Sequence, residues 1–221
     1  VEHLKMPSLS TFDLIEQESL KIGCQLTKES CEQLEWYFRE LVRWNQKINL
    51  IGHKKEKDII ANLFIDSLAF HKVFNDKLPS SVLDIGSGAG FPGLPIKINE
   101  SKLSITLVEP NLKKVAFLHH IIGSLGLKNV HVEAKRIEEM PNFIQFQKAY
   151  DWIFLKALRY NVCLPYVKPL LSEKGNVVLS RTKKHETLPD VMGFSVQKEV
   201  FYQLPFGFGD RVFLVLSPIS T

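Results

Sequence analysis

The sequence predicts an α/β protein: a mostly parallel sheet closed by a C-terminal antiparallel strand pair and preceded by a helical extension. Three observations carry this. From residue 79 onward, short apolar, β-favouring runs alternate with helical stretches, the pattern of parallel strands joined by right-handed crossovers. The last two runs, "FSVQKEVFYQL" (194–204) and "RVFLVLS" (211–217), are separated only by "PFGFGD", which reads as a hairpin. The first 78 residues show no such alternation and instead carry apolar residues at helical spacing.

Taken in order, Ser10 or Thr11 caps a first helix that runs to Gly23. A second spans about Ser30–Gln46, with Cys31, Leu34, Phe38, Leu41 and Val42 on one face. A loop around "NLIGHKK" leads to a third, near Lys57–Phe74, that presents Ile59, Ile60, Leu63, Phe64 and Leu68. The expected strands are "SVLDIG" (81–86), "SITLVE" (104–109), "VHVEA" (130–134), "YDWIFL" (150–155) and "NVVLS" (176–180). Helices are expected at Pro92–Ile98, Asn111–Leu125, Arg136–Phe146 and Asn161–Leu171. Residues 1–78 are thus expected to be an extension packed on a sheet domain formed by 79–221.

Bulk properties narrow the classes. A chain of 221 residues that is 45% hydrophobic can bury a core without staples. Cys24, Cys31 and Cys163 are odd in number and lack metal-ligand spacing, so buried thiols in a reducing compartment are expected, with no metal. No apolar run is long enough to span a membrane, and no signal-peptide pattern opens the sequence. The expectation is a cytoplasmic monomer without membrane attachment.

The chemistry concentrates in "VLDIGSGAGFPG" (82–93). Glycines after the first strand admit positive φ and let a ligand approach the backbone where open α/β sheets bind it. The nicotinamide fingerprint G-x-G-x-x-G/A needs a small residue at position 91, which is Phe91; the spacing here is Gly86-x-Gly88-x-Gly90. Glu109 ends the next strand, where a carboxylate can accept the ribose hydroxyls of a nucleoside ligand. Asp84 either orients the loop or meets an amino group of the ligand.

Positive charge falls at the carboxyl ends of the strands. Lys135 and Arg136 follow the third, Lys156 and Arg159 the fourth, and Arg181, Lys183, Lys184 and His185 the fifth. Arg211 opens the last strand, and the extension adds His53, Lys54, Lys55 and Lys57. A phosphodiester substrate accounts for that clustering. Trp36, Tyr37 and Trp44 stand at helical spacing, which favours the core over base stacking.

These segments together resemble the ribosomal RNA small subunit methyltransferase G (RsmG/GidB) family. "RWNQKINLIG" resembles its W-N-x-x-x-N-L-T through Trp44, Asn45, Asn49 and Leu50; "FIDSL" matches D-S-L at Asp66, Ser67 and Leu68. "LDIGSGAGFPGLPIKI" matches D-x-G-[ST]-G-x-G-[FL]-P-G-[IL]-P, "EPNLKKVAFL" resembles D-S-x-x-K-[RK]-x-x-F-L, and "KRIEEM" resembles R-x-E-[ED]. The resemblance implies a Rossmann-like class I methyltransferase fold that uses S-adenosyl-L-methionine (AdoMet) to methylate N7 of a guanine in small-subunit (16S) rRNA. The partner would be that RNA or the assembling small subunit.

The resemblance implies Asp84, Gly86, Gly88, Gly90, Phe91, Glu109, Ile137, Glu138 and Lys156 at the cofactor. Lys113, Lys135, Arg136, Arg159, Arg181, Lys183 and Arg211 would meet RNA, with Lys156 and Arg136 positioning the reactants and no general base. Three positions depart from the family's pattern. Asn62 and Leu63 stand where Arg-His is usual, "LKALR" replaces S-R-A and so puts Lys156 in place of an arginine, and "SRTKK" replaces K-G after the fifth strand. Two other readings share these residues: an AdoMet methyltransferase of another RNA or a small molecule, and a non-catalytic RNA- or ribosome-binding relative. A nicotinamide oxidoreductase is disfavoured by Phe91.

Overall fold

The computed structural model describes residues 10–74, 80–182 and 192–219. Helix α1 (Thr11–Lys21) begins at a capping box in which Ser10 and Asp13 satisfy each other's backbone amides. Helix α2 (Lys28–Asn45) is capped by the Thr27 side chain, which accepts from the Ser30 amide. The turn after it is closed by Asn45, whose Oδ1 accepts from the Leu50 and Ile51 amides at 2.8 and 3.0 Å. That gives the "WNxxxNL" asparagine a structural role.

The third expected helix is one helical run of changing pitch. It passes through α3 (Glu56–Ile59), a π-helical turn (Ile60–Ile65), α4 (Asp66–Leu68) and a 3₁₀ turn (Ala69–Val73). π turns inside helices often sit at functional sites. Here the widened turn ends directly before Asp66.

A seven-stranded sheet follows, in the order β3-β2-β1-β4-β5-β7-β6. Strands β1 (Ser81–Ile85), β2 (Ser104–Val108), β3 (Val130–Glu133), β4 (Tyr150–Lys156) and β5 (Leu171–Thr182) pair in parallel. Strand β7 (Gly209–Pro218) runs antiparallel between β5 and β6 (Phe194–Leu204), as the helix-free ending predicted. Helices α5 (Gly93–Asn99), α6 (Leu112–Ser124) and α7 (Tyr160–Val167) make the crossovers, with Asn111 capping α6.

Two expectations needed revision. Residues 136–146 form two 3₁₀ turns, Ile137–Asn142 and Ile144–Phe146, because Pro141 lacks the amide a longer helix needs and Phe143 is extended. The expected helix 161–171 ends in a 3₁₀ turn at Leu170, and β5 starts at Leu171, five residues early. Its first half was hidden by polar Glu173 and Lys174. Gly175 sits there because a Cβ would come within 2.8 Å of the Tyr150 carbonyl, beside a register shift in β4.

Successive strand residues face opposite layers. On one side, Val82, Leu107, Phe154 and Phe213 share a core with Leu34, Tyr37 and Leu41 of α2 and Phe64 of the π turn. On the other, Leu83, Ile153 and Leu179 pack against Leu164 and Val167 of α7. The N-terminal helices therefore share the covering of one face of the sheet with α5 and α6, which add Leu94, Phe117 and Leu118 to that core. Among the described residues no helix is long and apolar enough to cross a membrane, and no cluster of three metal-ligating side chains occurs.

Candidate active site

Strand β1 lies between β2 and β4, so the connections diverge at its carboxyl end and open a crevice there. The glycine loop lines it. Gly86, Gly88 and Gly90 all have positive φ (65°, 60° and 99°), but their reasons for being bare differ. A Cβ on Gly90 would meet Leu94 at 2.5 Å and the Tyr37 hydroxyl at 2.7 Å, so Gly90 is needed for packing. A Cβ on Gly86 would meet the Leu158 side chain at 3.0 Å. Only the Cβ position of Gly88 faces open space, its nearest neighbour being the Gly86 carbonyl at 3.9 Å.

Two acids hold the loop. Glu109 is buried, and its Oε2 and Oε1 accept from the Gly88 amide at 2.9 Å and the Asn111 amide at 2.8 Å. Each oxygen keeps a second lone pair, so the carboxylate can still accept a ligand hydroxyl. Asp84 is fully buried in β1, and its Oδ2 accepts from the Gly93 amide at 2.8 Å. Gly93 is bare because a Cβ would press on Leu107 and on that carboxylate. Asp84 Oδ1 and the Ser87 hydroxyl are buried without a hydrogen-bond partner. Burial pushes the Asp84 carboxyl up to about 7; the Gly93 amide and Lys156 pull it down, and Glu109 raises it. A buried acid with an unfilled oxygen beside an open glycine is a seat for a cationic, hydrogen-bonding ligand.

The remaining expected cofactor residues divide. Ile137 is buried and Glu138 half-buried just past β3. The Phe91 ring is buried. It stacks on Tyr37 with centroids 5.2 Å apart and packs edge-on to Phe64, because an apolar ring gains more in the core than at a wet rim. Tyr37, read from sequence as a core residue, buttresses the loop from behind through a hydrogen bond to the Ala89 carbonyl.

Lys156 differs most from expectation. It is no free cation: its ammonium pairs with Asp66 Oδ2 at 2.8 Å, donates to the Asn62 carbonyl at 2.9 Å and approaches the Ser67 hydroxyl at 3.5 Å. Asp66 Oδ1 accepts from the Tyr202 hydroxyl at 2.6 Å, and Arg211 donates to the Asn62 side chain at 3.2 Å. The departures at Asn62 and Lys156 thus belong to one buried network joining the helical run, β4, β6 and β7. Asp66 and Tyr202 were missed as partners; the "DSL" motif pointed to Asp66, but nothing local pairs it with a residue 136 positions away.

Of the expected RNA-facing cations, Lys113, Arg136 and Arg159 are exposed. Lys135 pairs with Glu133 at 2.6 Å, and Arg181 lies over the Tyr160 ring. Lys183 lies outside the described residues, as do Lys184 and His185. His119 is exposed, while His120 pairs with Glu40 at 2.6 Å between Trp36 and Trp44. The three cysteines are buried free thiols.

A model of the rRNA small subunit methyltransferase G family matches residues 30–206. The chain belongs to that family. A ribosomal RNA small subunit methyltransferase G from Lachnoclostridium phytofermentans is 30% identical over 90% of this chain and 86% of its own length. One from Lactococcus lactis is 34% identical over 83% and 81%, and one from Clostridium beijerinckii 37% over 71% and 68%. Solved structures share the class I methyltransferase fold at lower identity. TrmN from Thermus thermophilus superposes with a TM-score of 0.56 at 16% identity, covering 70% of this chain and 48% of that one. A SAM-dependent methyltransferase from Aquifex aeolicus gives 0.50 at 19%, covering 70% and 89%.

Proposed function

We propose that the protein transfers the methyl group of AdoMet to N7 of a guanine in 16S rRNA. The observation that carries the cofactor half is the buried Asp84 Oδ1, unpartnered among the described residues, near the carboxyl end of β1 that leads into the glycine loop, where the Cβ side of Gly88 is open. These residues fit AdoMet: Glu109 would offer lone pairs to the ribose, Asp84 and Ser87 would offer acceptors to the cationic amino acid end, and Ile137 and Glu138 would line the adenine side. When bound, the cofactor supplies an activated methyl on a sulfonium.

The protein's own share is positioning. Guanine N7 already presents a lone pair on the major-groove edge and loses no proton on methylation, so no general base is required. The protein must hold the base in line and exclude water. Lys156, fixed by Asp66 and Asn62, places its charge beside Asp84 and so acts as a positioning residue for the loop. Arg136, Arg159, Arg181 and Lys113 neutralise phosphates around the crevice. In this reading the helices of 1–78 are a packed extension of the 79–221 domain, and the protein works in the cytoplasm as a monomer on rRNA or the assembling subunit.

The test is transfer of labelled methyl from AdoMet to undermodified small subunits and to naked 16S rRNA, with the labelled base identified. Labelled 7-methylguanine is the expected product. AdoMet binding without label in either substrate would refute the acceptor assignment and favour another substrate or a non-catalytic relative.

A further inference from the structure

The cations at the sheet's carboxyl edge explain affinity for phosphate, but phosphate contacts do not hold bases. Of three cation–aromatic pairs, Lys135 with Phe143 among them, the two that flank the Lys156–Asp66 pair supply what is missing. Arg181, at the end of β5, sits 5.0 Å from the centre of the Tyr160 ring, the first residue of α7. Lys57, in α3, sits 5.3 Å from the centre of the Phe206 ring. Phe206 lies in the β6–β7 turn (Pro205–Gly207). That turn is at the same edge, because β7 runs antiparallel to β5 and Arg211 pairs with Thr182.

Phe206 is conspicuous on two counts. It is 36% exposed, and its φ is +58°, a left-handed conformation that an aromatic residue adopts only at a cost. Across the crevice, Ala157 has φ +56° and sets the loop that carries Arg159 to Tyr160. The two pairs flank the Lys156–Asp66–Asn62–Arg211 network, one on the β4–β5 side and the other on the β6–β7 side. A ring with a cation on one face, or a planar guanidinium lying on a ring, offers a flat surface to an unpaired base.

We propose that Tyr160 with Arg181, and Phe206 with Lys57, are two base-stacking stations that hold single-stranded RNA on either side of the target guanine. This rests on the RNA substrate reading above and adds how the strand is gripped. The stations select an unpaired strand, whereas the remaining cations are indifferent to pairing.

The test uses the full chain and a labelled single-stranded 16S rRNA fragment containing the base identified by methyl transfer. Tyr160→Leu and Phe206→Leu remove the π face and keep an apolar side chain. Each is expected to weaken fragment binding about tenfold while leaving the slope of log affinity against log salt unchanged. Lys57→Ala should instead lower that slope by about one. Tyr160→Phe and Phe206→Tyr should restore binding, which a merely structural role in the turn would not require. AdoMet affinity should be unaltered throughout. Leucine variants that bind the fragment as tightly as the wild type, or ring-retaining variants as weak as the leucine ones, would overturn the stations. A wild-type protein that binds AdoMet but not this RNA would instead refute the substrate reading itself.

Discussion

Breaking the Lys156–Asp66 pair should destabilise the fold by about 3–5 kcal/mol. Its two side chains are 10% and 5% exposed, so neither charge is well solvated. Removing one partner from a buried pair leaves the other charge stranded and typically costs about 3–5 kcal/mol. Asp66→Asn strands the Lys156 ammonium. Lys156→Met strands the carboxylate with only the Tyr202 hydroxyl. In a chain of 221 residues each kcal/mol moves the melting temperature by about 2–4 °C, so each single variant should melt at least about 6 °C lower. The double variant removes both charges and should recover much of that, because no unpaired buried charge is left behind. The assay is urea unfolding of all four proteins, with the coupling energy taken from the cycle. A coupling of about 2 kcal/mol or more is expected. Additivity within about 0.5 kcal/mol would mean that the pair is not coupled, and the network could not anchor the helical run to the sheet.

The glycine loop and its acids set the remaining outcomes. Gly88→Val should abolish AdoMet binding in calorimetry, since its Cβ side is open and only the strain of a branched residue at φ +60° opposes folding; Gly90→Ala should chiefly lower thermal stability, because its Cβ meets Tyr37 and Leu94. Glu109→Gln points an amide NH₂ at either the Gly88 or the Asn111 amide and should weaken AdoMet at least tenfold; unchanged affinity would remove Glu109 from the ribose site. Asp84, raised to about 7 by burial and further by Glu109 against the pull of the Gly93 amide and Lys156, is protonated in the ligand-free fold at a pH where the unfolded chain has ionised it. Its contribution to stability is therefore full below about pH 4 and is lost as pH rises through about 7. A cationic ligand needs the ionised form, so AdoMet affinity should rise up to tenfold per pH unit below about 7 and level off above it; a profile unchanged by Asp84→Asn would disprove the coupling.

Much of the molecule was readable because its signals are local. Alternation of strand and helix, the hairpin ending and the glycine spacing are each set within a dozen residues, and the sheet follows them. The acids of the site were legible for the same reason: Asp84 and Glu109 end strands beside a glycine turn, and the structure ties both to that turn. What failed to show was whatever depends on a distant partner. Phe91 reads as a residue of the cofactor loop, and the burial of its ring shows only in the structure, since its stacking partner lies in α2. Lys156 reads as a free cation at a strand end, and becomes a buried tie only because Asp66 and Asn62 come from another segment.

Charge counting at strand ends cannot separate such cases, because a lysine's sequence position fixes where its chain leaves the backbone and not what meets it. The same limit explains why the aromatic residues of the carboxyl edge escaped notice. Tyr160 begins a helix and Phe206 sits in a turn, where an aromatic residue carries no periodic signal. The fold alone brings each beneath a cation from elsewhere in the chain, Arg181 of β5 and Lys57 of α3. In this protein the cofactor cradle is therefore written in contiguous motifs. The proposed stacking stations are instead pairings between distant segments, and so is the Lys156–Asn62–Arg211 network that contains the departures from the family pattern.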